Sequence, residues 1–231
     1  MLRKIKAFFR ENKFTKRIYW FLGSIKSPQS IKRKIRKRKA LQENGIALVH
    51  LVQDLLCDEF FHFDMGTLLG IIREGKLLGH DLDVDIAVHL KDENDVSRIR
   101  QLLNDKGCRL VVSYNIDGIG TIEDSFLVNG IKFDVSYYFE KEDKDVIYLT
   151  YKDPDNPRED ELFNVVELAT SPIKEIKQID FNGKMINVPK DSEKYLSERY
   201  GSNWRIPDKN YLYWQGPSAS LTSYLAKQET F

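Results

Sequence analysis

The chain has 231 residues, 42% of them hydrophobic and 12% aromatic, which is enough for one large or two small domains with a buried core and argues against disorder. Its two cysteines, Cys57 and Cys108, exclude a disulfide scaffold and a cysteine-rich zinc site, and they suit a reducing compartment. No run approaches the roughly 18 apolar residues of a membrane-spanning helix, and no signal-peptide core is evident, so we expect a protein on the cytosolic side of the membrane.

The net charge of +1 hides a strong asymmetry along the chain. Residues 1–40 carry 15 Lys and Arg side chains and one acidic side chain, a net charge of +14, which leaves −13 for the rest. This split predicts a basic arm, residues 1–40, followed by an acidic globular domain, residues 41–231.

Apolar residues recur at helical spacing within the arm, at Leu2, Ile5, Phe9, Phe14, Ile18 and Phe21. Lys and Arg fill much of the sequence between them, a pattern that predicts a helix lying on an anionic membrane surface. Two alternatives stay open. The arm could pack as a helical extension, or the run Ile31–Lys39 could neutralise nucleic-acid phosphates, which we regard as the least favoured partner.

The hydrophobic pattern predicts the next elements in chain order. A helix begins at Ser27-Pro28 and carries an apolar stripe made of Leu41, Leu48, Val52, Leu55 and Leu56. After it we expect a short strand at 60–64, a short helix at 68–73 that closes near Gly75, a strand at 82–88, and a helix that is capped by Asp92 and ends at Gly107.

The second half of the chain is predicted to be rich in strands, at 108–115, 120–128, 131–139, 146–151, 176–181 and 184–188. Asn129-Gly130 and Asn182-Gly183 are the residue pairs that two-residue hairpin turns prefer. A polar loop at 152–160 and a helix at 192–200 complete a mixed α/β domain.

Three alternating aspartates, Asp81, Asp83 and Asp85, share one face of the strand at 82–88, about 6.6–7 Å apart. Such close like charges need solvent, protonation or cations, and Asp is rare in strands. Because Mg²⁺ binds carboxylates, waters and substrate phosphates, the pattern predicts a metal site. Asp134, on the strand at 131–139, would complete the cluster if the two strands are neighbours, either as a ligand of a second metal or as a general base.

Gly66 and Thr67 come just before the helix at 68–73, where free backbone N–H groups and the helix dipole attract phosphate. Arg73 and Lys76 would add positive charge close to the same phosphates. Competing motifs fail: Leu77 replaces the Ser or Thr of a P-loop, and the four histidines lack metalloprotease spacing.

Two segments resemble the LicD/fukutin-related family. Gly66-Thr-Leu-Leu-Gly70 with Arg73, followed by Asp81-Leu-Asp-Val-Asp85, is similar to the family's G-T-L-L-G-x-x-R and W-D-x-D-x-D stretches. Tyr195–Trp204 with Pro207 is similar to its Y-L-x-x-x-Y-G-x-x-W-x-x-P stretch. His80 departs from the pattern, because the family usually has Trp there, which affects the expected pocket wall but not the carboxylates.

The resemblance implies an α+β fold of the nucleotidyltransferase, polymerase-beta-like type: a mixed sheet flanked by helices, after the basic arm. It also implies a Mg²⁺-dependent transferase, with Mn²⁺ as a substitute. Such an enzyme moves phosphocholine, ribitol phosphate or glycerol phosphate from a CDP-activated alcohol to a hydroxyl of a cell-surface glycan such as capsule or lipopolysaccharide, and CMP leaves. We expect a lipid-linked acceptor, reached through residues 1–40 at the inner face of the membrane.

The same resemblance implies the residue roles. Asp83 and Asp85 would hold Mg²⁺, with Asp81 nearby and Asp134 as the added carboxylate, while Gly66 and Thr67 would contact the donor phosphates with help from Arg73. Two other functions stay open: a nucleotidyltransferase that releases pyrophosphate from an NTP, and a non-catalytic protein that binds a membrane or nucleic acid.

Overall fold

The computed structural model describes residues 28–92, 94–152 and 161–231. The chain divides into two units, Met1–Lys37 and Arg38–Phe231. Most of the predicted arm, including Ser27 at the expected helix start, therefore lies outside the described residues, and so does most of the polar loop at 152–160. No helix in the described ranges is long and apolar enough to span a membrane.

The described residues form four α-helices, one 3₁₀ turn (Tyr213–Gln215) and ten strands. The helices are α1 (Pro28–Leu55), α2 (Met65–Glu74), α3 (Asp95–Asp105) and α4 (Ser192–Tyr200). The strands are β1 (Phe61–Phe63), β2 (Asp83–His89), β3 (Arg109–Ile116), β4 (Gly120–Val128), β5 (Ile131–Lys141), β6 (Lys144–Tyr151), β7 (Leu162–Thr170), β8 (Ile176–Phe181), β9 (Lys184–Pro189) and β10 (Ala219–Thr230). The mixed α+β architecture predicted from the sequence is confirmed.

Eight of these strands form one sheet in the order β1-β2-β5-β4-β3-β10-β7-β6, and β8 pairs with β9 separately. The end of β5, Phe139–Lys141, also pairs with β6, so that six strands close into a barrel-like ring. The earlier part of β5 lies between β4 and β2, and β2–β5 is the parallel pair of the sheet as described. The long strand β5 thus joins the ring to the β2–β1 extension.

The main hydrophobic core lies under β1, β2 and β5. The apolar stripe of α1 enters it through Leu41, Leu48 and Val52, as the sequence predicts. Val84 and Ile86 of β2 are fully buried in the same core. Burying one large aliphatic side chain stabilises a fold by about 1.5–3 kcal/mol, so the buried face fixes the register of β2. Because side chains alternate along a strand, the aspartates of β2 then lie on the opposite face.

Both predicted hairpin turns are confirmed. Asn129 and Gly130 have φ values of 50° and 79°, and Asn182 and Gly183 have values of 54° and 85°. Two consecutive residues with positive φ are the requirement of a tight type I′ hairpin, which Asn-Gly meets at little cost.

The predicted capping role of Asp92 is wrong. Helix α3 begins at Asp95, with Asn94 as the flanking residue. The Asp92 carboxylate accepts a hydrogen bond from the Asn94 N–H, while the Asp95 carboxylate accepts from the backbone N–H groups of Lys91 and Asp92. Asp92 therefore stabilises the turn that precedes the helix.

Candidate active site

Strands β2 and β5, which carry the predicted aspartates, are neighbours in the sheet. The sequence alone did not decide whether they would be. In the parallel register of β2 and β5, Asp85 lies directly beside Asp134, and Asp83 lies beside Lys132. Side chains two residues apart share one face of a strand, so Asp83, Asp85 and Asp134 lie on the same face of the sheet. The structure therefore brings these carboxylates together from 49 residues apart in sequence.

The start of α2 is hydrogen-bonded to β2 at Asp85. The Asp64 N–H donates to the Asp85 carbonyl oxygen at 3.0 Å, and the Asp85 N–H donates to Thr67 Oγ1 at 2.9 Å. Thr67 is buried, with 1% of its surface exposed. Its hydroxyl oxygen thus positions the carboxylate strand, a contact that the predicted phosphate-binding role did not include.

The predicted position of Gly66 and Thr67 just before the helix is wrong: α2 begins at Met65 with Asp64 as its N-cap, so both residues lie in its first turn. Gly66 packs directly against Asp81. A Cβ atom added at Gly66 would lie 2.7 Å from Asp81 Oδ2, closer than real Cβ contacts. Burial raises the pKa of Asp81 to about 6, an effect that the neighbouring His80 opposes. The glycine therefore allows the first turn of α2 and the carboxylate of Asp81 to approach each other.

Gly66→Ala should lower kcat/KM of the reaction proposed below at least about tenfold, because the new methyl group displaces Asp81 or the first turn of α2, and small displacements at a reacting site are costly. Stability should change little, since Ala favours a helix over Gly by about 0.5–1 kcal/mol and offsets part of the clash. Steady-state kinetics and thermal unfolding measure both effects.

Gly79→Ala is the matched control, because a Cβ there has no heavy atom within 4 Å. Its kinetics should equal those of the wild type. Equal kinetics for Gly66→Ala would show that the approach of Gly66 to Asp81 does not matter for turnover.

The two predicted cations near the phosphates have different surroundings. Arg73 donates through Nη1 to the Trp204 carbonyl at 3.3 Å and through Nη2 to Glu74 at 2.8 Å. Lys76 has 71% of its side chain exposed and lies 4.0 Å from Glu74. Arg73 is thus held in place beside the site, whereas Lys76 extends into solvent.

Lys132 is a cation of the site that our sequence reading did not select. Its Nζ lies 3.0 Å from Asp83 Oδ2 and also contacts the Asp134 carboxylate. Ser125 donates to Asp134 Oδ1 at 2.6 Å from the other side. Burial lowers the pKa of Lys132, but the carboxylates of Asp134 and Asp83 raise it by more, so the ammonium stays charged.

The carboxylates of this face are hard to ionise together. Burial raises the pKa of Asp85 well above its usual value, and the neighbouring Asp83 and Asp134 add to the rise. Burial also raises the pKa of Asp134, although Lys132 opposes it. Glu123 is a further carboxylate that we missed: it shares a face of β4 with Ser125, and burial together with Asp134 raises its pKa to about 8.

Glu123 should make the metal-free protein less stable as the pH rises. Its pKa is about 8 when folded against a reference value of 4.5, so the folded state binds more protons between these pH values, and stability falls through that window. Glu123→Gln removes this loss, at most about 1.4 kcal/mol per pH unit. In urea denaturation with EDTA, the variant should gain stability over wild type between pH 5 and pH 8.

Glu140→Gln, at an exposed position, is the control for the loss of one carboxylate and should not reproduce that gain in stability. A difference between Glu123→Gln and wild type that is the same at pH 5 and pH 8 would contradict the raised pKa of Glu123.

A buried polar network contacts Asp64, the residue that caps the start of α2. Asp64, the N-cap of α2, accepts a hydrogen bond from the Tyr195 hydroxyl. Arg199 Nη2 donates to the hydroxyls of Tyr195 and Tyr138, at 2.7 and 2.8 Å. Arg199 is 1% exposed and Asp64 is fully buried. Two phenols thus bridge a buried guanidinium to a buried carboxylate, and they connect α4 with the helix that faces Asp85.

Trp204, in the same C-terminal segment, serves packing. It is 5% exposed and lies in a hydrophobic cluster with Leu68 and Leu69 of α2 and with Leu196 of α4. Its burial shows that it packs the C-terminal segment against α2.

The donor set suits Mg²⁺ by its chemistry, because Asp81, Asp83, Asp85 and Asp134 offer only oxygen ligands. In the part of the chain that the structure describes, no three acidic, His or Cys side chains converge to form a complete metal site. Mg²⁺ is commonly held by one or two carboxylates together with waters and substrate phosphates. The residues present fit a site of that kind, in which waters or substrate phosphates fill the remaining positions around the ion.

The structure is a mixed α+β domain in which a sheet face lined with carboxylates lies beside the N-terminus of α2. The family model described as "LicD/FKTN/FKRP, nucleotidyltransferase domain" matches residues 60–191, which include α2, β2, β4 and β5. The chain therefore belongs to the LicD/FKTN/FKRP family, and the resemblance seen in the sequence is confirmed. This membership indicates a transferase of the phosphotransferase, glycan-modifying kind.

No curated protein matches the chain. The match ends before Tyr195, so it does not test the C-terminal motif.

Proposed function

We propose that the protein is a Mg²⁺-dependent phosphotransferase that moves a phospho-alcohol from a CDP-activated donor to a hydroxyl of a glycan and releases CMP. The observation that carries the proposal is the pairing of Asp85 with Asp134 across β2 and β5, next to the first turn of α2. Membership of the family supports the reaction class. Phosphocholine, ribitol phosphate and glycerol phosphate are the groups we propose for transfer.

Different residues of the site would bind Mg²⁺ and the donor phosphates and would accept the proton. Asp83 and Asp85 would hold Mg²⁺ together with Asp81 or Asp134, and the bound ion would neutralise charge on the diphosphate and on the leaving CMP. The N–H groups at Gly66 and Thr67, at the positive end of the α2 dipole, would face the donor phosphates. Arg73, held by Trp204 and Glu74, would keep positive charge near them.

Proton transfer completes the reaction. The acceptor hydroxyl forms a new bond to the phosphorus that carries the alcohol, the bond from that phosphorus to CMP breaks, and a carboxylate takes the hydroxyl proton. Asp134 suits this step because burial raises its pKa and so makes it a better base than an exposed aspartate. Lys132 and Ser125 hold its two oxygens in a fixed direction.

The test is CMP formation from CDP-choline, CDP-ribitol, CDP-glycerol and CDP-ethanolamine, with Mg²⁺ or with EDTA. We expect Mg²⁺-dependent CMP from one donor, slowly with water and faster with a glycan acceptor. Absence of CMP from every donor, with and without a crude glycan acceptor, would contradict the proposal.

A nucleotidyltransferase is the second candidate, because the description of the matched family names such a domain. The same carboxylates would then act on an NTP, and pyrophosphate would leave in place of CMP. Assaying the four NTPs for pyrophosphate beside the CDP-alcohols separates the two reactions.

We also propose that the basic arm binds an anionic membrane surface and brings a lipid-linked acceptor within reach. In its described part, Ile31 and Ile35 are 45% and 60% exposed and lie four residues apart on α1, among Lys and Arg. Sedimentation with phosphatidylglycerol vesicles should be strong for the wild type and weak for Lys34→Glu with Arg36→Glu. Equal sedimentation of both proteins would contradict this role.

A further inference from the structure

A lysine ammonium lies between two of the carboxylates assigned to the metal. Lys132 Nζ is 3.0 Å from Asp83 Oδ2 and also contacts Asp134 Oδ2. The parallel register places Lys132 directly beside Asp83, and its side chain extends along the same face toward Asp134, two residues further on. The lysine thus bridges the two strands that carry the acidic cluster.

The position is enclosed, because only 24% of the Lys132 side chain is exposed, and 28% and 14% of those of Asp83 and Asp134. In two-metal transferases, two ions about 3.5–4 Å apart stabilise the attacking and the leaving oxygen of the displacement. Here the carboxylates that would hold a second ion already share an ammonium. The lack of any three converging acidic, His or Cys side chains in the described ranges agrees with this arrangement.

We propose that Lys132 is a built-in cation that bridges Asp83 and Asp134, so that the site binds one divalent cation and the ammonium replaces a second. The proposal rests on the function proposed above, since it assigns the charge of that same site. Lys132 acts through Asp83 and Asp134 and is a positioning residue. Its three N–H donors allow it to contact both carboxylates through one oxygen each, Asp83 Oδ2 and Asp134 Oδ2.

The test is the number of Mn²⁺ ions bound per chain, measured on the full-length protein without donor by electron paramagnetic resonance and calorimetry. We expect one ion for the wild type and two for Lys132→Met, which has a similar volume but no charge. Lys132→Arg should retain one ion, and the exposed Lys144→Met should behave as the wild type. CMP formation should fall about 10–100-fold in Lys132→Met, the usual cost of removing a residue that orients metal ligands.

If the wild type binds two ions, or none, the proposal is wrong, whether or not Lys132→Met folds. One ion in both wild type and a folded Lys132→Met would also overturn it. If Lys132 only stabilised the fold, Lys132→Met would lower the unfolding temperature without changing the number of bound ions. Because the titration uses no donor, its outcome is independent of whether CDP-alcohols prove to be substrates.

Discussion

Asp85→Asn should lower the rate of CMP formation at least about a hundredfold and leave the protein folded. Asn keeps the shape of the side chain and its place beside Asp134, but it removes a negative charge from the proposed Mg²⁺ site. Since burial and the neighbouring aspartates raise the pKa of Asp85, its charge is unfavourable in the metal-free fold. The free energy of unfolding at pH 8 should therefore stay the same or rise.

The combination of lost turnover and retained stability is the informative result. Asp117→Asn, at an exposed position in the turn between β3 and β4, is the matched control and should keep full activity. Full activity in Asp85→Asn would remove Asp85 from the site, and a loss of stability would make any effect on turnover indirect.

Arg199→Met should lower the free energy of unfolding by about 3–5 kcal/mol, the usual cost of removing one partner from a buried charged network. The substitution leaves the hydroxyls of Tyr138 and Tyr195 without their donor, and it leaves the Asp64 carboxylate buried without its counter-charge. Because Asp64 is the N-cap of α2, the damage should extend to the helix that faces Asp85.

Urea denaturation measures this loss, with Arg205→Met as the control. Arg205 is 56% exposed, pairs with Glu193 on the surface and should cost less than about 1 kcal/mol when replaced. Equal stabilities for the two variants would mean that the Asp64–Tyr–Arg199 network contributes no more than a surface ion pair.

Much of the site could be predicted because its signals are local. Three aspartates alternating on a strand, a Gly-Thr pair close to a helix start and a lone Asp on a later strand are visible in the sequence, although the helix begins at Met65 and includes the pair. Their meeting was not visible, since it depends on the parallel pairing of β2 and β5, which connects residues 49 positions apart. Nothing in a single sequence states which strands are neighbours.

Glu123 and Lys132 were missed for a different reason. Each alternates with buried residues on its strand, as a solvent-facing side chain does, and Lys132 resembles surface charge until Asp83 is placed beside it. On a regular strand, the alternation of side chains puts Glu123 on the face of Ser125 and Lys132 on the face of Asp134. Adding all charged residues on those faces to the candidate site would have found both.

Two strands of the ring also escaped prediction. In β10, a single residue, Ala226, is buried, and seven of the twelve residues are Ser, Thr, Lys, Gln or Glu, so its hydrophobic pattern is weak. Its place between β3 and β7 depends on backbone pairing with strands far away in sequence. Strand β7 has a clearer apolar run, but it follows a polar loop with two prolines, and our reading did not resume a strand there.

The most direct test of the proposed reaction is the position of oxygen-18 after hydrolysis of the active CDP-alcohol in labelled water. Attack on the phosphorus that carries the alcohol puts the label in the alcohol phosphate and leaves CMP unlabelled, which is the result we predict. Label in CMP would show attack on the phosphorus next to cytidine, as in a nucleotidyltransferase, and would contradict transfer of a phospho-alcohol. Phosphorus-31 NMR resolves the two products by the isotope shift.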